Sequence, residues 1–289
     1  MKKILAILLC TAMVLSLAAC GGSASTSTST STSTPASEPA SGSESSSSSE
    51  TPAKTKLVVG TSADYPPFEF IYLDDAGNQQ YAGIDISFAE KLAEDAGLEL
   101  EIVNMSFDNL MASLQKGDLD VVLAAIEASE ERLKVADFSD PYYTTYPPLI
   151  LTLKANADQY TKLEDFTGKT VGAQSGTTKA DTVQSEMSFA TPLLLTSVND
   201  LVNNLIYGKC DAVVLDYAPA MQYAENNPDL VVLESVSLGT AEPYCAAVQK
   251  GDPSNLLESF NKTIETILAD GTMDAYIAEA DELSAKAIE

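Results

Sequence analysis

Arg132 is an arginine in a polar and aromatic loop, within the segment 124–143, AAIEASEERLKVADFSDPYY. The residues before the loop, 119–125, are almost all apolar, which is the pattern of a strand covered on both faces in a parallel sheet. Open α/β proteins bind ligands beyond the carboxyl ends of such strands. Because a guanidinium is well suited to a carboxylate, the segment predicts a site for a small carboxylate-bearing ligand. The alternative is a surface arginine paired with Glu130 or Glu131.

A second candidate anion site is the sequence SGTT at 175–178, which follows a predicted strand at 170–173 and opens a predicted helix. Backbone N–H groups and the helix dipole attract an anion at such a position. A phosphate-binding loop is excluded, because Leu163 stands where that motif needs a glycine upstream of Lys169 and Thr170. By itself the short motif is not specific.

Asp216 follows directly on the apolar residues of DAVVLD at 211–216, so we expect its carboxylate to face a cleft at the strand end. The alternative is an N-cap for a helix at 218–225. Tyr65 and Phe107 are aromatic candidates for a ligand contact, although isolated aromatic residues are more often part of a core.

Several segments of the chain resemble, in order, the bacterial extracellular solute-binding proteins of polar amino-acid ABC transporters, family 3. Besides the segment around Arg132, they are LVVGTSADYPPFEF at 57–70, GIDISFAEKLA at 83–93, GKTVGAQSGTT at 168–178, DAVVLD at 211–216 and ADGTMDAYI at 269–277. The resemblance implies an α/β, two-lobed fold of the type II periplasmic-binding-protein class. Each lobe would be a mostly parallel sheet flanked by helices, with two crossover hinge strands between the lobes.

The resemblance also implies roles for single residues. Arg132 and the loop at 175–178 would bind the α-carboxylate of an amino acid, Asp216 its ammonium group, and Tyr65 and Phe107 the faces of its side chain. A cation against such aromatic faces gains about 0.5–2 kcal/mol. The implied ligand-binding residues are Ser62, Tyr65, Phe107, Ala125, Glu127, Arg132, Gln174, Thr177, Thr178 and Asp216. No metal and no cofactor are expected.

Two residues depart from the family pattern. Ser62 stands where many relatives have an aspartate for the ammonium group, which leaves Asp216, with Asp64 as a second candidate. Glu127 stands where relatives usually have Ser or Thr, and an ionised carboxylate cannot donate the hydrogen bond of a hydroxyl. Glu127 could pair with Arg132, point away, or meet a cationic part of the ligand.

The charges of these side chains bear on the ligand. With Arg132 and Asp216 matched to the ligand's own charges, a Glu127 facing the cleft would leave one negative charge unpaired, which is costly in a partly desolvated space. A cationic amino acid is therefore slightly favoured over a neutral polar one, and both are favoured over an acidic one. Lys179 is the nearby cation that could remove this preference. A Glu127–Arg132 pair would favour a neutral polar ligand.

The residue inventory argues against catalysis. The chain has no histidine, no metal-spaced cysteine cluster and no nucleophile elbow, which excludes Ser-His-Asp, Cys-His and zinc-hydrolase mechanisms. Two alternatives to a transport protein stay open. One is a dehydratase-like enzyme on the same fold with Glu127 as its acid/base. The other is the sensor module of a receptor, which we expect to be followed by a transmembrane helix or output domain, and none follows residue 289.

The amino terminus predicts export and lipid anchoring. Lys2 and Lys3 precede an apolar stretch at 4–15, too short for a mature transmembrane helix, so that residues 1–19 have the layout of a secretory signal peptide. The sequence LAAC at 17–20 matches a bacterial lipobox, whose Cys20 would carry diacylglycerol and a further acyl chain such as palmitate. The alternative is an ordinary signal peptide with an incidental cysteine.

The lipidated cysteine would be followed by a flexible tether, because residues 20–55 are rich in Ser and Thr and have almost no large apolar side chain. A flexible coil of about 35 residues has an r.m.s. reach on the order of 30 Å. We expect the protein on the outer face of the cell membrane, with a Gram-positive envelope favoured over a periplasm.

The chain carries 16 basic and 42 acidic residues, a net charge of −26. Nucleic acid is therefore not an expected partner, because phosphate contacts need a basic surface. The expected partners are a free amino acid, the transmembrane subunits of an ABC permease and the membrane itself, and a monomer is expected. Cys210 and Cys245, the cysteines outside the amino-terminal region, could form one disulfide.

Alternating apolar and amphipathic segments predict repeated strand–helix units. Strands are predicted at 57–60, 98–103, 149–153, 170–173, 212–215, 230–233 and 245–248, and helices at 108–116, 179–186, 199–207 and 254–269. A further helix is predicted to start at Ser87, where Glu90 completes a capping box, and to end before Gly97. The resemblance places the crossings at 142–148 and 239–244. Lobe 1 would then comprise 56–143 and 243–289, and lobe 2 would comprise 144–242.

Overall fold

The computed structural model of the protein describes residues 54–288. The predicted signal peptide at 1–19, the predicted lipid attachment site Cys20 and the predicted tether up to residue 53 lie outside the described residues. Within 54–288, no helix combines the length and the apolar character needed to cross a membrane.

The described residues form strands and helices in alternation. The strands are β1 (Lys56–Thr61), β2 (Asp64–Tyr65), β3 (Glu69–Leu73), β4 (Gln79–Ala82), β5 (Glu99–Asn104), β6 (Val121–Val122), β7 (Ala136–Phe138), β8 (Leu149–Leu153), β9 (Thr170–Gln174), β10 (Thr191–Leu195), β11 (Ala212–Leu215), β12 (Leu230–Val232) and β13 (Ala247–Gln249). The α-helices are α1 (Ile84–Ala96), α2 (Phe107–Lys116), α3 (Thr178–Glu186), α4 (Val198–Ile206), α5 (Tyr217–Asn226), α6 (Leu257–Ala269) and α7 (Thr272–Ser284).

Lobe 1 is built on a five-stranded sheet of order β5-β1-β6-β13-β7. β1 pairs in parallel with β5 and β6, so that Val59 lies beside both Ile102 and Val121. β13 pairs antiparallel with β6 and β7. Four strands therefore run in one direction and β13 runs against them. Helices α1 and α2 pack on this sheet, and α6 and α7 pack on α1.

Lobe 2 repeats this arrangement in a sheet of order β10-β9-β11-β8-β12. β9 pairs in parallel with β10 and β11, and β8 pairs antiparallel with β11 and β12. Helices α3, α4 and α5 pack on the sheet. A separate three-stranded antiparallel sheet, β2-β3-β4, brings residues 64–82 beside the first sheet's carboxyl edge.

The chain crosses between the two sheets after β7 and again after β12, and the two crossing segments lie side by side. The N–H of Tyr142 donates to the carbonyl of Tyr244 at 3.0 Å, and the N–H of Tyr244 donates to the carbonyl of Tyr143 at 2.9 Å. β8 and β13, the first strands after the crossings, are the ones that run against their sheets. They start at the edge where the other strands end, and this edge of each sheet therefore faces the cleft.

The predicted α/β fold with mostly parallel sheets is confirmed, and the one strand of each sheet that runs against the rest is the strand that returns from a crossing. The capping box at Ser87 is not the start of α1. The helix begins at Ile84, and the N–H of Ser87 already donates to the carbonyl of Gly83 at 3.0 Å. Cys210 and Cys245 are free and buried, so the possible disulfide is absent.

Candidate functional site

The predicted ligand residues meet at the cleft edges of both sheets. Lobe 1 contributes the residues after β1 and β6 and the start of α2, and lobe 2 contributes the end of β9, the start of α3 and the residue after β11. Together they enclose a narrow cavity with room for about one water molecule. The lining side chains are those of Tyr65, Glu69, Phe107, Ala124, Ala125, Gln174, Thr177, Lys179 and Asp216.

Most of the predicted site residues are brought together here, and one is not. Tyr65, Phe107, Ala125, Gln174, Thr177 and Asp216 line the cavity, and Glu127, Arg132 and Thr178 are bonded to one another or to lining residues at its edge. Ser62 lies in a separate groove, with its Oγ 3.4 Å from Oδ1 of Asp64. Asp64 in turn accepts a hydrogen bond from the N–H of Val198, at the start of α4, at 2.8 Å. The structure thus places both residues away from the cavity.

Four buried side chains form a row of alternating charge along the cavity. Nη1 of Arg132 donates to Oε2 of Glu127 at 2.9 Å, and Nζ of Lys179 donates to Oε1 of the same carboxylate. Nζ of Lys179 also lies 2.7 Å from Oδ2 of Asp216. All four residues are at most 8% exposed. Of the alternatives for Glu127, the structure therefore shows the pair with Arg132, and it adds Lys179.

The burial of this row shifts the pKa of its members. Burial alone would raise the pKa of Glu127, but the charges of Lys179 and Arg132 outweigh it and lower the pKa to about 2. Asp216 is also buried, which raises its pKa, and Lys179 opposes this only in part because the charge of Glu127 lies nearby. Burial would lower the pKa of Lys179, but Asp216 and Glu127 together raise it. Glu127 and Lys179 are thus held in their charged forms.

The loop between β9 and α3 lies directly against lobe 1. Gly176 has a φ of +78°, and a Cβ there would lie 3.1 Å from Cα of Asp108, so a larger residue would strain this approach. The carbonyl of Gly176 accepts a hydrogen bond from Nη2 of Arg132 at 3.1 Å. Thr177 caps α3, with its Oγ1 accepting from the N–H of Ala180 at 3.2 Å. Thr178 Oγ1 donates to Oε1 of Glu127 at 3.1 Å.

Two aromatic side chains flank the cavity. The Tyr65 hydroxyl donates to Oδ2 of Asp216 at 2.7 Å, and it accepts from the N–H of Asp216 at 3.1 Å. The guanidinium carbon of Arg132 lies 5.3 Å from the centre of the Phe107 ring. Asp216 is the N-cap residue of α5, but its side chain makes no capping hydrogen bond. Its carboxylate instead faces the cavity, as its position after a buried strand predicts.

Glu69 is a lining residue that the sequence reasoning missed. It lies in β3, is 1% exposed, and its Oε2 has no hydrogen-bond donor among the described residues. The charge of the nearby Asp85 carboxylate disfavours the ionised form of Glu69. Burial, with the charge of Asp85, raises the pKa of Glu69 well above its usual value, and burial raises the pKa of Asp85 to about 6.

Asp85 ties this carboxyl pair to the loop after β6. Its Oδ2 accepts the N–H of Ala125 at 2.7 Å, and its Oδ1 accepts the hydroxyl of Tyr142 at 2.7 Å. Ala125 has a φ of +45°, which is uncommon for a residue other than glycine. A sequence signal for Glu69 did exist, because it is an acidic residue between Phe68 and Phe70 in an otherwise apolar stretch.

The proteins similar to this chain are bacterial extracellular and amino-acid-binding proteins. The family model for bacterial extracellular solute-binding proteins, family 3, matches residues 57–279. The arginine-binding extracellular protein ArtP of Bacillus subtilis (strain 168) is 32% identical over 277 residues, which are 95% of this chain and 96% of that protein. A probable histidine-binding protein of Campylobacter jejuni is 33% identical over 221 residues, 76% of this chain and 83% of that protein.

A similar solved structure is that of an amino acid ABC transporter substrate-binding protein from Streptococcus pneumoniae bound to L-arginine. It has a TM-score of 0.75 and 39% sequence identity, and it covers 79% of this chain and 94% of its own. These relatives and structural neighbours are solute-binding proteins and not enzymes, which argues against the alternative of a dehydratase-like enzyme.

Proposed function

We propose, on the premise that the chain belongs to the bacterial extracellular solute-binding proteins of family 3, that it captures a free cationic amino acid between its lobes and delivers it to an ABC permease. The observation that carries the proposal is the charge arrangement of the cavity. A guanidinium, Arg132, in the loop after β6, and a carboxylate, Asp216, directly after β11, lie on opposite sides of the cleft. A zwitterionic amino acid presents the complementary pair of charges.

In this proposal each end of the ligand backbone has its own receptor. The α-carboxylate binds Arg132, because a guanidinium donates two parallel hydrogen bonds to a carboxylate. The ammonium group binds Asp216, whose carboxylate faces the cavity and not the end of α5. The ligand side chain then lies between Tyr65 and Phe107, with Ala125, Gln174, Thr177 and Thr178 completing the walls. Ser62 and Asp64 are left out of this binding scheme.

Glu69 is the basis for a preference for a cationic side chain. Glu127 leaves no unpaired charge in the cleft, because its carboxylate is paired with Arg132 and Lys179. Glu69 is a buried acid that lines the cavity without a donor on Oε2 among the described residues. A guanidinium or ammonium group would supply that donor and favour the ionised acid. The binding of L-arginine by relatives with 32% and 39% identity supports the same choice.

The setting of the protein completes the proposal. We place the hinge in the crossings at 142–148 and 239–244, with lobe 1 at 56–143 and 243–289 and lobe 2 at 144–242. A monomer would be held on the outer face of the membrane by lipid on Cys20, and the tether at 20–55 would let it reach the permease. Globomycin, an inhibitor of the lipoprotein signal peptidase, tests the anchor, because a lipoprotein precursor accumulates uncut when that enzyme is blocked.

A thermal-shift screen tests the ligand. The fragment from Lys54 to the carboxyl terminus is heated with each of the twenty amino acids, ornithine and cystine. A ligand that binds only the folded state at one hundred times its Kd stabilises it by about 2.7 kcal/mol, so a true ligand raises Tm by several degrees. We expect L-arginine, L-lysine and L-ornithine to give the largest shifts. The proposal fails if no amino acid shifts Tm, and the cationic preference fails if L-glutamate gives the largest shift.

A further inference from the structure

Lys179 and Glu127 form an ion pair across the cleft. Glu127 follows β6 in lobe 1, and Lys179 lies in the first turn of α3 in lobe 2. Among the ion pairs formed between residues 54 and 288, this is the one that joins the two lobes. The other two contacts of the charged row, Arg132 with Glu127 and Lys179 with Asp216, each lie within one lobe.

Each lobe therefore contributes one positive and one negative side chain to the ligand site, so their charges cancel within each lobe. In lobe 1 the carboxylate receptor Arg132 has Glu127 as its counter-ion, and in lobe 2 the ammonium receptor Asp216 has Lys179. A bound amino acid supplies one charge to each receptor. Glu127 and Lys179, which also pair with each other across the cleft, then balance one another.

We infer that Lys179 and Glu127 are a matched pair that holds the lobes together over the ligand and keeps the ligand site electrically neutral. The inference rests on the proposed function, since it takes the ligand to be an amino acid. In a closed complex that lacks one of these two charges, the row of buried side chains carries one unbalanced charge, which is strongly unfavourable. A complex that lacks both would again be balanced. Lys179 and Glu127 thus act as positioning residues and as determinants of ligand charge.

A double-mutant cycle tests the pair in the full chain, with Cys20→Ser to prevent lipid attachment. Lys179→Met removes the cation with little change in side-chain length, and Glu127→Gln removes the anion with little change in shape. By calorimetry, each single variant is expected to bind L-arginine at least about 30-fold more weakly than the parent chain. The double variant is expected to recover most of that loss, because no charge is left over.

The two single variants should also differ in the ligand they disfavour. Glu127→Gln leaves an extra positive charge, so it should lose more affinity for L-arginine than for L-glutamine. Lys179→Met leaves an extra negative charge and should show the reverse. Lys169→Met is the matched control, because Lys169 pairs with Asp211 within lobe 2, at 3.3 Å and near the surface. It should bind both amino acids as the parent chain does.

Small-angle scattering without any amino acid provides a test that does not depend on the ligand. The parent chain and Lys169→Met should be more compact than Lys179→Met, Glu127→Gln and the double variant. Equal compactness in all five proteins would overturn the pairing across the cleft. The charge pairing of Lys179 with Glu127 would be overturned if the loss of affinity for L-arginine in the double variant equalled the sum of the two single losses. It would also be overturned if either single variant bound L-arginine as tightly as the parent chain. A parent chain that binds no amino acid refutes the proposed function, while the ligand-free comparison still tests the ion pair.

Discussion

The substitution Glu69→Gln tests whether Glu69 makes the site selective for a positively charged ligand side chain. Glutamine has nearly the same shape but cannot ionise, so the variant keeps the walls of the cavity and removes one acid from them. A hydrogen bond to a charged group contributes about 1.5–3 kcal/mol. L-Arginine should therefore bind about 10- to 150-fold more weakly, while L-glutamine should bind with little change.

The pH dependence of binding gives the same test a second readout. Without a cation in the cavity, Glu69 and Asp85 hold a proton, because burial raises the pKa of both acids, that of Asp85 to about 6. A cationic side chain favours the ionised acid, so its binding releases a proton. Affinity for L-arginine should then rise with pH, by up to about tenfold per pH unit, over the range in which the ligand-free pair holds a proton that the complex has released. Glu69→Gln should flatten this rise.

Isothermal titration calorimetry in buffers of different ionisation enthalpy measures both effects, because a released proton adds the enthalpy of its uptake by the buffer. Glu94→Gln is the matched control, since Glu94 has an exposed side chain on α1 and should change neither the affinity nor the proton release. The reasoning is refuted if Glu69→Gln binds L-arginine within about twofold of the parent chain, because that loss is well below the range expected for a charged hydrogen bond. An unaltered pH slope in Glu69→Gln would assign the proton to another group.

Three further outcomes are expected. Arg132→Ala should abolish amino-acid binding, as measured by calorimetry, and near-native affinity would disprove the role of Arg132 in binding. The variant should also lower Tm by a few degrees, because the arginine is 8% exposed and hydrogen-bonded across the cleft. In the Lys179→Met variant, whose lobes are not held together by the ion pair with Glu127, a saturating ligand should compact the protein by bending the crossings at 142–148 and 239–244, which identical scattering profiles with and without ligand would contradict. In the fragment from Lys54, Cys210 and Cys245 should react slowly with a thiol reagent under native conditions and completely in denaturant, and fast native labelling would contradict their burial.

The strand–helix alternation could be predicted from the sequence because its signals are local. Buried strands such as β8 and β11 are runs of apolar residues, and glycine ends α2 at residue 117. We predicted no element at 69–82 or 272–284. β3 and β4 form a short, partly exposed hairpin without a clear apolar alternation, and α7 is stabilised by packing on α1. The start of α1 was also misplaced, because Ser87 offers a capping pattern that the preceding turn makes unnecessary.

The sequence by itself determined which edge of the sheets would carry the candidate site, because Arg132 and Asp216 follow buried strands and the carboxyl ends of parallel strands meet at one edge. Only the tertiary structure decided which charges face each other. Lys179 is 52 residues from Glu127 and comes from the other lobe, and Glu69 is buried beside Asp85 through the pairing of β3. Ion pairs and hydrogen bonds form only between side chains that lie within a few ångströms of each other. The packing of whole lobes sets these distances, and the local sequence around each residue does not specify them.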